Sequence, residues 1–164
     1  MNQFIEFLKN NEITDIILVG FVDVEKGIYE FYPNLKYLYI EMATKYVALE
    51  SVNQYSLLKF CIKDDLCFEY EIDKDMLKAK SSIAELVLDD TMAVGNNIKE
   101  IVFYDLNTDE LTCAAMELVL GNGQIIFIDP SFYFGINVGG ERQKRMWEEN
   151  YLNYNKVDIR KIVL

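Results

Sequence analysis

Residues 13–72 are written as short runs of β-branched and aromatic residues broken by turn formers: 15–24, 27–32, 35–42, 46–52, 55–62 and 66–72. Side chains two apart share one face of a strand, so this spacing belongs to an antiparallel meander and not to a helical bundle. The strictest alternation covers 56–72, where Leu58, Phe60 and Ile62 alternate with Lys59, Cys61 and Lys63, and Leu66, Phe68, Tyr70 and Ile72 with Cys67, Glu69, Glu71 and Asp73. A three-residue turn Lys63-Asp64-Asp65 keeps the apolar set on one face only if Ile62 opposes Leu66. That register sets Phe60 opposite Phe68, Lys59 opposite Glu69, and Cys61 opposite Cys67, where a disulfide is one outcome and free thiols the other.

Helical spacing enters at three places. Phe4, Ile5 and Leu8 predict a short helix ending near Asn10-Asn11. Ser82 followed by Glu85 forms a capping-box pattern ahead of Ile83, Leu86, Val87 and Met92, with Gly95 suited to the end. A third helix is expected over 141–151, with Met146, Trp147 and Tyr151 as its inner stripe. Between the last two, 98–104, 111–120 and 124–128 read as strands, the final pair joined by Gly121-Asn122-Gly123. These strands are apolar on both faces and need cover on both sides, including a helix. Asp129-Pro130 should end the last of them, 131–140 reads as a Gly- and aromatic-rich loop, and 157–163 as a short edge strand. The expected fold is one α+β domain over 1–164: mostly antiparallel sheet, about eight to ten strands, with about three helices covering part of it.

Histidine is absent. That removes Ser-His and Cys-His nucleophile pairs, His-ligated metals and the usual proton shuttle near neutral pH. Cys61, Cys67 and Cys113 are an odd number, which suits reduced thiols in a cytoplasm. The opening residues lack a basic start followed by an apolar run, and charges interrupt every apolar stretch, so a cytoplasmic chain without export or membrane insertion is expected. Net charge is −11 and unevenly spread: residues 1–140 hold 10 Lys, no Arg and 23 acids, a net −13. Such a body repels phosphates and steers a cationic partner, so a basic protein is expected and nucleic acid is not.

Candidate chemistry is sparse. Asp105-Leu106-Asn107-Thr108-Asp109 begins like a calcium loop, but Glu110 stands where a glycine must turn the chain and Met116 where a closing glutamate is needed, so a polar turn fits better. The stretch 135–142 has glycines before a helix start, and Gly139, Gly140, Arg142 and Arg145 are the candidates for an anion or small-ligand site; the Lys-Ser/Thr of a phosphate loop is missing. Cys113 reads as a buried apolar side chain. Glu69 with Glu71, and Asp89 with Asp90, are carboxylate pairs read as solvated or partner-facing. Phe132, Tyr133 and Phe134 join them, because three consecutive aromatics on an extended chain cannot all point inward. No metal, cofactor or catalytic residue is expected.

A small acidic α+β chain without catalytic groups, ending in Ile128-Asp129-Pro130-Ser131-Phe132 and Gly139-Gly140-Glu141-Arg142-Gln143-Lys144-Arg145-Met146-Trp147, resembles in general character the immunity proteins of bacterial polymorphic toxin systems. The resemblance implies a cytoplasmic antidote that binds a toxin domain, often a basic nuclease, and blocks its active site. An anion- or small-ligand-binding protein or enzyme using 135–145, and a structural subunit of an assembly, are the competing expectations; a homodimer is allowed.

Overall fold

A computed structural model describes residues 1–25, 27–67, 70–89, 95–131, 135–152 and 156–164. In chain order its elements are α1 (Asn2–Lys9), β1 (Ile13–Glu25), β2 (Ile28–Pro33), β3 (Tyr37–Met42), β4 (Lys45–Val52), β5 (Leu57–Lys63), β6 (Leu77–Ser82) and α2 (Ala84–Val87). Then follow β7 (Ile98–Tyr104), β8 (Thr112–Cys113), β9 (Ala115–Leu120), β10 (Ile125–Ser131), β11 (Gly135–Gly139), α3 (Glu141–Tyr151) and β12 (Ile159–Val163). The fold is α+β, with two antiparallel sheets among the described residues.

β1 is long enough to serve three partners. β3 pairs with its first half and β2 with its second, on one edge, while β6 takes the other edge over 17–22. β3, β4, β5 and β8 continue the sheet, and the second sheet runs β11-β10-β9-β7-β12. Ile16, Leu38, Ile40, Leu49, Leu58 and Phe60 of the first sheet meet Ile101, Phe103, Met116, Leu118, Ile126 and Ile128 of the second, making the main core of a sandwich. α1 closes one side of it with Phe4 and Leu8, the Phe4 ring lying 4.8 Å from Phe60. Between β8 and β9 the chain steps from one sheet to the other across the single residue Ala114, so 111–120 is two strands and not one.

Each sheet also has a covered outer face. α3 packs Trp147 on Val102, Tyr104, Ala115 and Phe127 of the second sheet, supplying the helical cover that strands apolar on both faces demand. On the first sheet, Leu66, Cys67 and Tyr70 lie over Ile17, Val19, Tyr39 and Ala48. Tyr39 Oη donates to the Cys67 carbonyl at 2.9 Å and Tyr70 Oη to the Gly20 carbonyl at 2.6 Å.

The hairpin expected over 56–72 is therefore overturned. β4 holds one edge of β5 over its whole length and β8 the other at Leu58 and Lys59, so 64–67 and 70–76 form no strand and their apolar residues bury by lying on the sheet. Cys61 and Cys67 form no disulfide and are partly buried in that packing. Phe68 and Glu69 lie outside the described residues. The second helix is one turn long, because Ser82 ends β6 and its Oγ donates to Asp15 while accepting from the Ala84 amide at 3.3 Å instead of forming a capping box; 90–94 are outside the described residues. Pro130 stays inside β10, beyond the last β9 pair (Ile128 with Met116), so its missing N–H costs that ladder nothing. Residues 135–139 form β11 and not a loop. The expected bounds of α1 and α3, the β9–β10 hairpin with Gly123 at φ +88°, and the edge strand near the end all stand as read.

Candidate functional site

The β1–β2 hairpin follows from a two-residue turn: Glu25 pairs with Ile28, and Gly27 takes φ +82°. Register then places Asp23 directly opposite Glu30 and Phe21 opposite Tyr32, on the same face as Glu25 and Ile28. The Phe21 and Tyr32 rings stack at 5.4 Å, and Tyr32 Oη donates to Glu30 at 2.6 Å. That hydrogen bond, first, raises the Tyr32 pKa, with the surrounding acids Asp23 and Glu25 adding to it. Like charges directly opposite weaken a sheet by roughly 0.2–1 kcal/mol. Among the described residues neither Asp23 nor Glu30 is in an ion pair. Ile28 and Tyr29 stand 69% and 73% exposed at the tip, and Asp23, Glu25, Ile28, Glu30 and Tyr32 line a groove of about 280 Å³.

A second feature lies beneath α3. Two carboxylates are buried in the outer face of the second sheet: Glu117, 5% exposed, and Asp129, 4% exposed. α3 answers both, which explains why its inner stripe is Gln143, Lys144, Trp147 and Tyr151 while Met146, expected inward, is half exposed. Lys144 Nζ meets Glu117 at 2.6 Å, and Tyr104 Oη donates to the same carboxylate at 3.2 Å. Burial alone would lower the Lys144 pKa, but the hydrogen bond and charge of Glu117 outweigh it and hold it above the ordinary lysine value. Tyr104 is pushed up to about 12, by burial first and by the Glu117 charge next. Among the described residues Asp129 receives only neutral amides, Gln143 Nε2 at 2.7 Å and Asn137 Nδ2 at 3.4 Å, and burial lifts its pKa above the ordinary carboxylate value.

Both raised groups in the Glu117 cluster bind their protons more tightly folded than unfolded, so their contribution is complete below pH about 10 and lost as pH rises toward about 12. The melting temperature of the protein is expected to fall over that window, and Tyr104→Phe to make the fall shallower. A profile that is flat across it would remove the cluster from the account.

The residues singled out in the sequence scatter. Glu71 and Asp89 are exposed and line different grooves, the first with Phe21, Lys36 and Tyr70, the second with Gln124, Gly139 and Glu141. Glu69, Asp90, Phe132, Tyr133 and Phe134 lie outside the described residues. Gly139 ends β11 and Gly140 precedes α3, but Arg142 and Arg145 point to solvent, and the groove at the helix start carries the carboxylates of Asp89 and Glu141. Two acids at that position work against anion binding. Asn107 Oδ1 accepts from the Asp109 and Glu110 amides, making 105–110 a polar turn. Cys113 is fully buried, which pushes its thiol pKa up and away from reactivity. A hollow of about 790 Å³ beside α1 and β5 holds Lys45 and Asp64 already paired to each other at 2.7 Å. Among the described residues no group of three or more acids and cysteines is placed to hold a metal, and no helix is long and apolar enough to cross a membrane.

Sequence reading missed the Asp23–Glu30 pair and the buried carboxylates. The pair was legible, since Asp23 alternates with valines in 22–25 and a turn at 26–27 fixes its partner. No family model, curated protein or solved structure matches the chain.

Proposed function

We propose that the chain is a non-enzymatic protein-binding domain of the immunity type, which grips a basic toxin domain through the β1–β2 hairpin. The observation that carries this reading is the Asp23–Glu30 pair: a like-charge opposition on a protruding hairpin whose tip exposes Ile28 and Tyr29. In isolation that pair works against the hairpin, and a lysine or arginine seated between the two carboxylates reverses its sign. Apolar tip residues beside such a charge pair supply the desolvated centre that binding hot spots need, and the net charge of −11 supplies long-range steering. The resemblance in general character to toxin antidotes agrees with a partner of opposite sign.

Glu30→Lys separates binding from folding. It converts the repulsive pair into an attractive one, so the variant is expected to be more stable than wild type by about 0.5 kcal/mol in urea denaturation. The same variant is expected to lose protection when co-expressed with a basic toxin domain that the wild-type chain neutralises. Retained protection at full strength would take the hairpin out of the interface.

A further inference from the structure

We propose that the cleft between α3 and the β4–β5 turn binds a guanidinium group, with Asp129 as its counter-ion. The cleft has a volume of about 380 Å³, and Asp129, Asn137, Gln143, Trp147, Tyr151 and Tyr55 are among the residues that line it. It goes beyond the hairpin reading and does not depend on it.

The two buried carboxylates of the second sheet make the contrast. Glu117 has an internal cation, Lys144; among the described residues Asp129 has two amides and no cation. An ionised carboxylate offers about four lone-pair positions, of which those amides occupy two. The fold therefore keeps a charge largely out of water and only partly satisfied, at an open cleft, and a cation entering it would recover the lost interaction. Asn150 Nδ2 donates to the Met146 carbonyl at 2.8 Å, which directs its Oδ1 away as a further acceptor for N–H groups.

The turn opposite is a second, independent sign. Asn53, Gln54 and Tyr55 all lie in the left-handed region, at φ 50°, 56° and 62°, a run that side chains other than glycine disfavour at every step. Ser56 holds it by donating from Oγ to the Asn53 carbonyl at 2.7 Å. Strain of this kind persists where surrounding structure over-determines it, and it gathers at ligand clamps. Its effect here is to set the Tyr55 ring, 41% exposed, at the lip of the cleft. Aromatic walls with one carboxylate and several amides suit a planar, weakly hydrated guanidinium better than a compact ammonium ion. The group can come from an arginine side chain of a protein or from a free guanidine compound.

Trp147 is the sole tryptophan, so its emission reports this cleft alone. Titrating the full chain with N-acetyl-arginine amide, agmatine and N-acetyl-citrulline amide should give saturable changes at millimolar concentration for the two guanidines and none for the neutral citrulline derivative. Tighter binding of the blocked arginine assigns the site to a protein side chain, and tighter binding of agmatine to a free compound. Asp129→Asn should weaken binding at least tenfold while the melting temperature is kept, and the exposed Tyr55→Ala should weaken it severalfold, which preserves the test if the first variant fails to fold. No saturable response to either guanidine, an equal response to citrulline, or affinities that neither variant changes would overturn the proposal.

Discussion

Replacing Phe60 by alanine is expected to remove about 4 kcal/mol of stability and to lower the melting temperature by roughly 10 °C. Phe60 has no solvent exposure and touches three layers at once: its ring lies 4.8 Å from Phe4 of α1 and 5.2 Å from Phe103 of β7. Truncation opens a cavity where α1 and the two sheets meet, and each of those elements is held by neighbours that prevent its collapse into the gap. Domains of this size have stabilities of roughly 5–15 kcal/mol, so the loss is a large part of the whole. Phe60→Leu, which fills most of the space, should cost less than half as much. A urea midpoint for Phe60→Ala within error of wild type would mean that the sandwich does not close on this residue.

Lys144→Met comes next, at about 3 kcal/mol, for an electrostatic reason. The substitution preserves the packing stem beneath α3 but leaves the Glu117 carboxylate, 6% exposed in its side chain, with the Tyr104 hydroxyl as its remaining partner. A buried charge without its counter-ion is more costly than a neutral pair in the same place. Glu117→Gln added to Lys144→Met should therefore restore most of the loss, and the double-mutant cycle should report coupling of more than 1 kcal/mol. Additive effects would show that α3 is held by Trp147 packing alone. Because Gln143 and Trp147 sit on the same helix, loosening α3 should also broaden the tryptophan emission of the variant.

Local signals carried through to the structure where no distant group competed for them, and failed at Ser82, whose hydroxyl turned to Asp15 of β1. Gly121-Asn122-Gly123 set the β9–β10 hairpin, and the spacing of Phe4 with Leu8 set α1, since neither depends on distant partners. Competition for strand edges was not legible. The alternation of Leu66 and Tyr70 is as good as that of Leu58 and Phe60, yet β4 and β8 take both edges of β5, and only the folded arrangement reveals it. The sandwich itself was half visible: strands apolar on both faces demanded two covers, but nothing in the spacing said that one of them would be another sheet.

The site followed the same division. Asp129 stood in the sequence as half of a strand-breaking pair, and its burial depends on β11 and α3 folding over it. The clue was the polar pair Gln143-Lys144 ahead of the sole tryptophan, a helix face that has reason to be polar only if it meets buried acids. The hairpin pair was nearer to hand, because a two-residue turn leaves no freedom in register. Attention to carboxylates adjacent in sequence, such as Glu69 with Glu71, passed over carboxylates adjacent across a ladder.

Whether the acidic hairpin is the gripping surface of the proposed interaction is decided most directly by the association rate constant with a basic toxin domain that the wild-type chain binds, measured across ionic strength for wild type and for Asp23→Asn/Glu30→Gln. The wild-type rate should fall steeply as salt rises, and the double variant should associate at least tenfold more slowly at low salt with a shallower slope. Equal rates and equal slopes for the two proteins would contradict it.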